Sequence, residues 1–165
     1  MDWQTQEQIH HALEQAFNAV LHQHMRDSAL VNKQLSVKAL GFTRFKQDWL
    51  GIMLTPWFMN ILHLPGNPND ISGLTPGCQY HQQLPFGEFE FTSGYSQRLG
   101  VYGQCSLFSP MFEFADQAAA LAVAEQCLQL LFGQPKPVKS LTRRSLLTIG
   151  RNQDGPRSQD HDASR

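Results

Sequence analysis

Four carboxylates on either side of a run of aromatic residues are the groups in this chain most suited to chemistry with a partner. Glu88 and Glu90 stand two residues apart, and Glu113 and Asp116 follow Pro110, with Phe86, Phe108, Phe112 and Phe114 between and around them. Carboxylates beside apolar side chains can take guanidinium groups in bidentate pairs while the aromatics cover an apolar segment. That combination leans towards a binding surface. Trp57, Phe58 and Met111 extend the apolar set, and methionine repacks around varied sequences. Solvated acids and core aromatics are the ordinary reading of the same residues and stay open beside this one.

A second segment has the opposite character. Thr142-Arg143-Arg144-Ser145-Leu146-Leu147 has the form of a twin-arginine export signal, but it lies near the C-terminus and is followed by Thr148-Ile149-Gly150-Arg151 and a polar tail. A working signal is N-terminal and precedes a longer apolar stretch and a cleavage site. It belongs either to an ordinary late strand or loop, or to a protein that handles such peptides.

Catalytic and metal chemistry is poorly supported. Gly-x-Gly-x-x-Gly, Walker, His-Glu-x-x-His and Gly-x-Ser-x-Gly motifs are all missing. Cys78-Gln79-Tyr80-His81 has metal-like spacing but lacks a second pair of ligands nearby. His10, His11, His22 and His24 read as solvated helix residues, and Cys105 as an inward, inert thiol. Neither a catalytic residue, a metal nor a cofactor is expected.

The elements that must position these groups follow from periodicity. Ile9, Leu13, Ala16, Phe17, Val20 and Leu21 mark an amphipathic helix from Gln4 to about Met25, with Thr5 and Gln8 as a capping box. Leu35, Val37 and Ala39 alternate as a half-buried strand that Gly41 ends. Two apolar strands, Trp49 to Thr55 and Phe58 to Leu64, flank a bend at Thr55-Pro56-Trp57. Pro65 to Gly77 is the longest loop, and Gly87 to Tyr95 pairs with Leu99 to Phe108 as a hairpin. In its first strand Glu88, Glu90 and Thr92 share a wet face, opposite Phe89 and Phe91.

Asp116 opens a second helix to about Phe132, with Ala119, Val123, Cys127, Leu130 and Leu131 inward, and a short strand is expected around Ser145 to Ile149. The fold class is α+β: an antiparallel sheet with both helices packed on one face. Residues 1–151 form one domain, and residues 152–165 a polar, disordered tail.

A net charge of -1 with no Lys/Arg cluster argues against nucleic acid and anionic lipid. The longest apolar stretch, Trp49 to Pro65, is interrupted by Pro56, Asn60 and His63, which argues against membrane insertion. Three widely spaced cysteines fit reduced thiols and a cytoplasmic protein.

Read together, Thr55-Pro56-Trp57, Leu84-Pro85-Phe86-Gly87, Cys105-Ser106-Leu107-Phe108-Ser109-Pro110 and Arg143-Arg144-Ser145-Leu146-Leu147 resemble the HybE/HupJ family of nickel-iron hydrogenase assembly chaperones. The resemblance runs from the first helix to about Arg151. It implies a non-enzymatic chaperone that holds the hydrogenase small-subunit precursor and its twin-arginine signal, delaying export until cofactors and the large subunit are in place. Contacts with the large-subunit precursor are also implied. The alternatives are a small redox or metabolite-binding enzyme using a cysteine or histidine, and a scaffold for the large-subunit precursor that never touches a signal peptide.

Overall fold

The computed structural model describes residues 3–67 and 73–133. The segments expected as a strand at 145–149 and as a tail from 152, together with Arg143 and Arg144, lie outside the described residues. Helix α1 (Gln6–Val20) begins with the capping box: Thr5 Oγ1 accepts from the Gln8 backbone N–H while the Gln8 side chain accepts from the Thr5 backbone. A π-helical turn, Leu21–Met25, extends it.

Six strands follow: β1 (Lys38–Phe45), β2 (Asp48–Leu54), β3 (Met59–Leu64), β4 (Gln79–Leu84), β5 (Gly87–Ser96) and β6 (Gly100–Phe108). Helix α2 (Gln117–Phe132) closes the described chain. All strand pairs are antiparallel, in the order β1-β2-β3-β6-β5-β4. Two three-stranded meanders are thus joined by the β3–β6 pairing.

The α+β class holds, but the helices do not share a face. Apart from half-buried Asp48, every residue of β2 and β3 is buried, and alternation divides their side chains between two cores. Leu50, Ile52, Leu54, Met59 and Ile61 pack with Cys105, Leu107 and the α2 residues Ala120, Ala124, Cys127 and Leu131. Trp49, Met53, Leu62 and Leu64 pack with Ile9, Leu13, Ala16 and Phe17 of α1. The sheet is therefore sandwiched, with α1 on one face and α2 on the other.

Three local expectations are also corrected. β1 does not end at Gly41 but runs through it with a register shift between Leu40 and Thr43. Gly41 has φ 60, and a Cβ there would meet the Leu128 side chain, so the bulge leaves room for α2. The inward face of α2 is Ala120, Ala124, Cys127 and Leu131, with Ala119 exposed and Val123 and Leu130 half-buried. Last, the polar segment Gln79–Leu84, to which the sequence assigned no element, is the edge strand β4.

Candidate functional site

Two of the singled-out segments meet at one end of the sheet. Thr55 is fully buried, and its Oγ1 accepts from the N–H of Trp57 (3.3 Å) and Phe58 (2.9 Å) while donating to Phe58 O (3.0 Å). That closes the Thr55-Pro56-Trp57 turn between β2 and β3. Pro56 O accepts from the Asn32 backbone N–H at 2.8 Å. Asn32, 9% exposed, then reaches the link between β6 and α2, its Nδ2 donating to Met111 O (3.0 Å) and Phe114 O (2.9 Å). Ser109 Oγ donates to Trp57 O at 3.5 Å, and the Ser109–Pro110 peptide is cis. A further tie joins Ser36 and Gln117, whose side-chain amide accepts from and donates to the Ser36 backbone as a paired strand would.

Held this way, the link walls a pocket of about 190 Å³ against the first half of α2. Phe108, Phe114, Ala119, Ala122 and Val123 line it, with Glu113 and Gln126 as polar members. Glu113 is exposed, and Asp116 caps α2 by accepting from the Ala119 N–H at 2.8 Å. Phe112 is 56% exposed. Phe114, grouped with it in the sequence among the aromatics that could cover an apolar segment, is buried at 7% and packs edge-on against Phe108 at 5.1 Å. Burial in the link recurs every three residues, at Met111 and Phe114, with Phe112 and Glu113 exposed between them, so one ring faces solvent and the other is in the core.

Trp57 is half-buried, edge-on to Phe58 at 5.6 Å. Leu84 is buried, Pro85 is exposed and Phe86 half-buried in the tight β4–β5 turn, and Gly87 completes it with φ 143. Ser106 is half-buried on β6, and Ser109 and Pro110 are exposed.

Glu88 and Glu90 do not join Glu113 and Asp116. They share a face of β5 with Thr92, which pairs with Gln104 and through it with Leu62 of the α1 core. The pocket lies on the α2 side. A single groove between the Glu88/Glu90 face and the Pro110–Asp116 link is therefore not formed. Glu90 accepts instead from Gln79 Nε2 at 3.1 Å and lies 3.9 Å from His81 on β4, an exposed pairing of small energetic weight.

The sequence reading missed a buried chain of polar groups. His63 is 3% exposed; Tyr80 Oη lies 2.8 Å from its Nδ1, and Asp48 Oδ2 lies 2.9 Å from its Nε2. Asp48 Oδ1 accepts from the Gly66 N–H. Burial, and secondarily the Asp48 charge, push the Tyr80 phenol far above its ordinary value. The phenol therefore stays protonated, and the imidazole bridges it to the Asp48 carboxylate.

Tyr80 reaches His63 across two intervening strands, β5 and β6, because Gly103 has no side chain: a Cβ there would clash with the phenol oxygen. A glycine inside a strand was the available signal. Among the described residues no group of three or more His, Cys, Asp or Glu could hold a metal ion, and no helix is long and apolar enough to cross a membrane.

Comparison with known proteins gives this arrangement a family. A protein HoxT of Cupriavidus necator is 41% identical over 134 residues, covering 74% of this chain and 75% of its own length. A probable rubredoxin HupJ of Rhodobacter capsulatus is 39% identical over 121 residues, 73% of this chain, which spans 44% of that relative's length. The solution structure of HybE from Escherichia coli shares the fold, with a TM-score of 0.62 at 20% identity over 99% of this chain and 94% of that one. The sequence model for NiFe-hydrogenase assembly chaperones of the HybE type matches residues 8–149, and the chain belongs to that family.

Proposed function

We propose that this hydrogenase assembly chaperone binds the small-subunit precursor in the cytoplasm through its twin-arginine signal peptide, and delays export until cofactor insertion and subunit assembly. The observation that carries the reading is the pocket between the link and α2, where apolar Phe108, Phe114 and Val123 stand beside Glu113 and Gln126 and Phe112 is exposed next to them in the chain. The two guanidinium groups of the signal would pair with Glu113 and its neighbour Asp116, and the apolar residues that follow would cover the pocket and Phe112. Trp57, Ser109 and Pro110 act at one remove, by fixing the link that forms the wall. Glu88, Glu90 and Phe86 fall outside this arrangement.

Calorimetric titration of the signal peptide tests the reading. A Phe112→Ala, Glu113→Gln variant should bind about tenfold more weakly or worse, the equivalent of at least about 1.4 kcal/mol, whereas Glu88→Gln, Glu90→Gln should bind as the parent does. Unchanged affinity in the first variant, or a loss confined to the second, would overturn it. Capture of the precursor lacking its signal at full affinity would instead favour a scaffold that grips the folded subunits.

A further inference from the structure

The small net charge conceals an uneven division along the chain. From Leu99 to Gly133, the stretch that supplies β6, the link and α2, there is no Lys, Arg or His, only the carboxylates Glu113, Asp116 and Glu125. From 134 to Arg151 the balance reverses: Lys136, Lys139, Arg143, Arg144 and Arg151 stand without any Asp or Glu. Among the described residues the ion pairs engage Glu14, Asp48 and Glu90, leaving Glu113, which lines the pocket, and Asp116 and Glu125 without a cationic partner there. Opposite charge at close range, on one chain, favours association wherever the geometry permits it.

Reach permits it here. α2 runs from beside the pocket to Phe132, and from there back to Ala119 is about 20 Å at 1.5 Å per residue. Leu146 follows Gly133 by thirteen residues, an extended span of about 43 Å, enough to turn and lie back along the helix. The order of residues also suits the pocket, with Arg143 and Arg144 first and Leu146 and Leu147 next.

We propose that the segment around Arg143–Leu147 of this same chain docks in the link–α2 pocket, its arginines on Glu113 and Asp116 and its leucines against Phe108, Phe114 and Val123. This rests on the reading of the pocket as a receptor for basic-then-apolar peptides and adds its regulation: a client must displace the chain's own segment. Tethering places that segment at millimolar effective concentration, so even a weak contact excludes weakly competing peptides.

The test uses the full chain with no client present. In a Cys78→Ser, Thr148→Cys background a nitroxide goes to residue 148 alone, because Cys105 and Cys127 are each only 3% exposed. Its broadening should concentrate on the amides of Glu113, Phe114 and Ala122–Gln126. It should fade in Arg143→Gln, Arg144→Gln and at 1 M salt, where the Debye length falls to about 3 Å. Broadening spread evenly or centred on another face overturns the proposal. So does broadening seen only between separately labelled chains, which would assign the pocket to a second copy.

Signal-peptide titration into the Arg143→Gln, Arg144→Gln variant separates this from the preceding reading. Tighter binding supports both, while pocket-centred broadening with unaltered peptide binding supports the self-contact and removes the shared receptor.

Discussion

Replacing Asn32 with alanine should loosen the link that walls the pocket, and the size of the effect follows from the bonds lost. Asn32 Nδ2 serves two carbonyls in a buried setting, Met111 O and Phe114 O, which lie 79 and 82 residues away along the chain. Met111 O keeps the Phe114 N–H at 3.3 Å, so it is only partly deprived. Phe114 O loses its Asn32 donor, and an orphaned buried carbonyl costs about 1–3 kcal/mol beyond the roughly 1 kcal/mol of a net hydrogen bond.

The expected destabilisation is about 2–4 kcal/mol. For a folded unit of this size that is a fall of about 8–16 °C in Tm. Asn32→Asp should be worse at neutral pH, since a carboxylate then faces two carbonyl oxygens, and should recover as pH falls because the protonated acid can donate again. Urea unfolding followed by circular dichroism, with both variants at pH 5 and 7.5, measures this. Asn32→Ala within about 0.5 kcal/mol of the parent, the range of an ordinary surface change, would refute the assignment of the link's anchorage to Asn32.

Gly103→Ala should destabilise by about 1–3 kcal/mol, because the added methyl displaces the Tyr80 phenol from His63; Tyr80→Phe in the same chain should recover part of the loss, read as a double-mutant cycle. Thiol titration at pH 8 with an aromatic disulfide should modify half-buried Cys78 first and leave buried Cys105 and Cys127 until the chain unfolds; burial pushes the Cys127 thiol up to about 11. Burial also lowers the His10 pKa below 6.5, outweighing the raising effect of Glu14. The unfolded chain then takes that proton first, so the stabilising difference is present above about pH 6.5 and lost as pH falls below it. A His10→Gln variant should flatten that decline in denaturant titrations from pH 7.5 to 5.

Where burial contrast is strong along an element, periodicity located it. α1 alternates polar and apolar residues on a helical period and carries its own start signal in Thr5 and Gln8, and β5 alternates Glu88, Phe89, Glu90 and Phe91 without ambiguity. Contrast vanishes in β2 and β3, which are buried on both sides, and their near-continuous apolar runs are themselves the sequence mark of a sheet covered twice, against the one-sided packing expected. α2 is mostly Ala, Leu and Val, and two of its inward positions came out displaced by a residue, Ala119 for Ala120 and Val123 for Ala124, while Cys127 and Leu131 stood. β4 fails in the opposite sense: an edge strand of Gln, Tyr and His has too little apolar character to register.

The candidate site was half legible. The acids and aromatics of the link were visible as types, but Phe112 and Phe114 sit in an aperiodic stretch where only tertiary packing chooses which ring is outside. The separation of Glu88 and Glu90 from Glu113 depends on which face each strand turns to α2. Asn32 and Gln117 are ordinary polar residues in sequence, and their bonds span some eighty positions.

The doubly covered strands have a mechanical consequence. Because β2 and β3 expose neither surface, the side chains beneath α1 and those beneath α2 hang from one backbone, separated by a single pleat: Met53 faces α1 while its neighbours Ile52 and Leu54 face the α2 layer. Close-packed interiors transmit displacement instead of absorbing it. A load applied to α1 is thus carried straight through the sheet to the helix that borders the pocket. The outer surface of α1 lies on the opposite side of the sheet from that pocket, joined to it through those two strands.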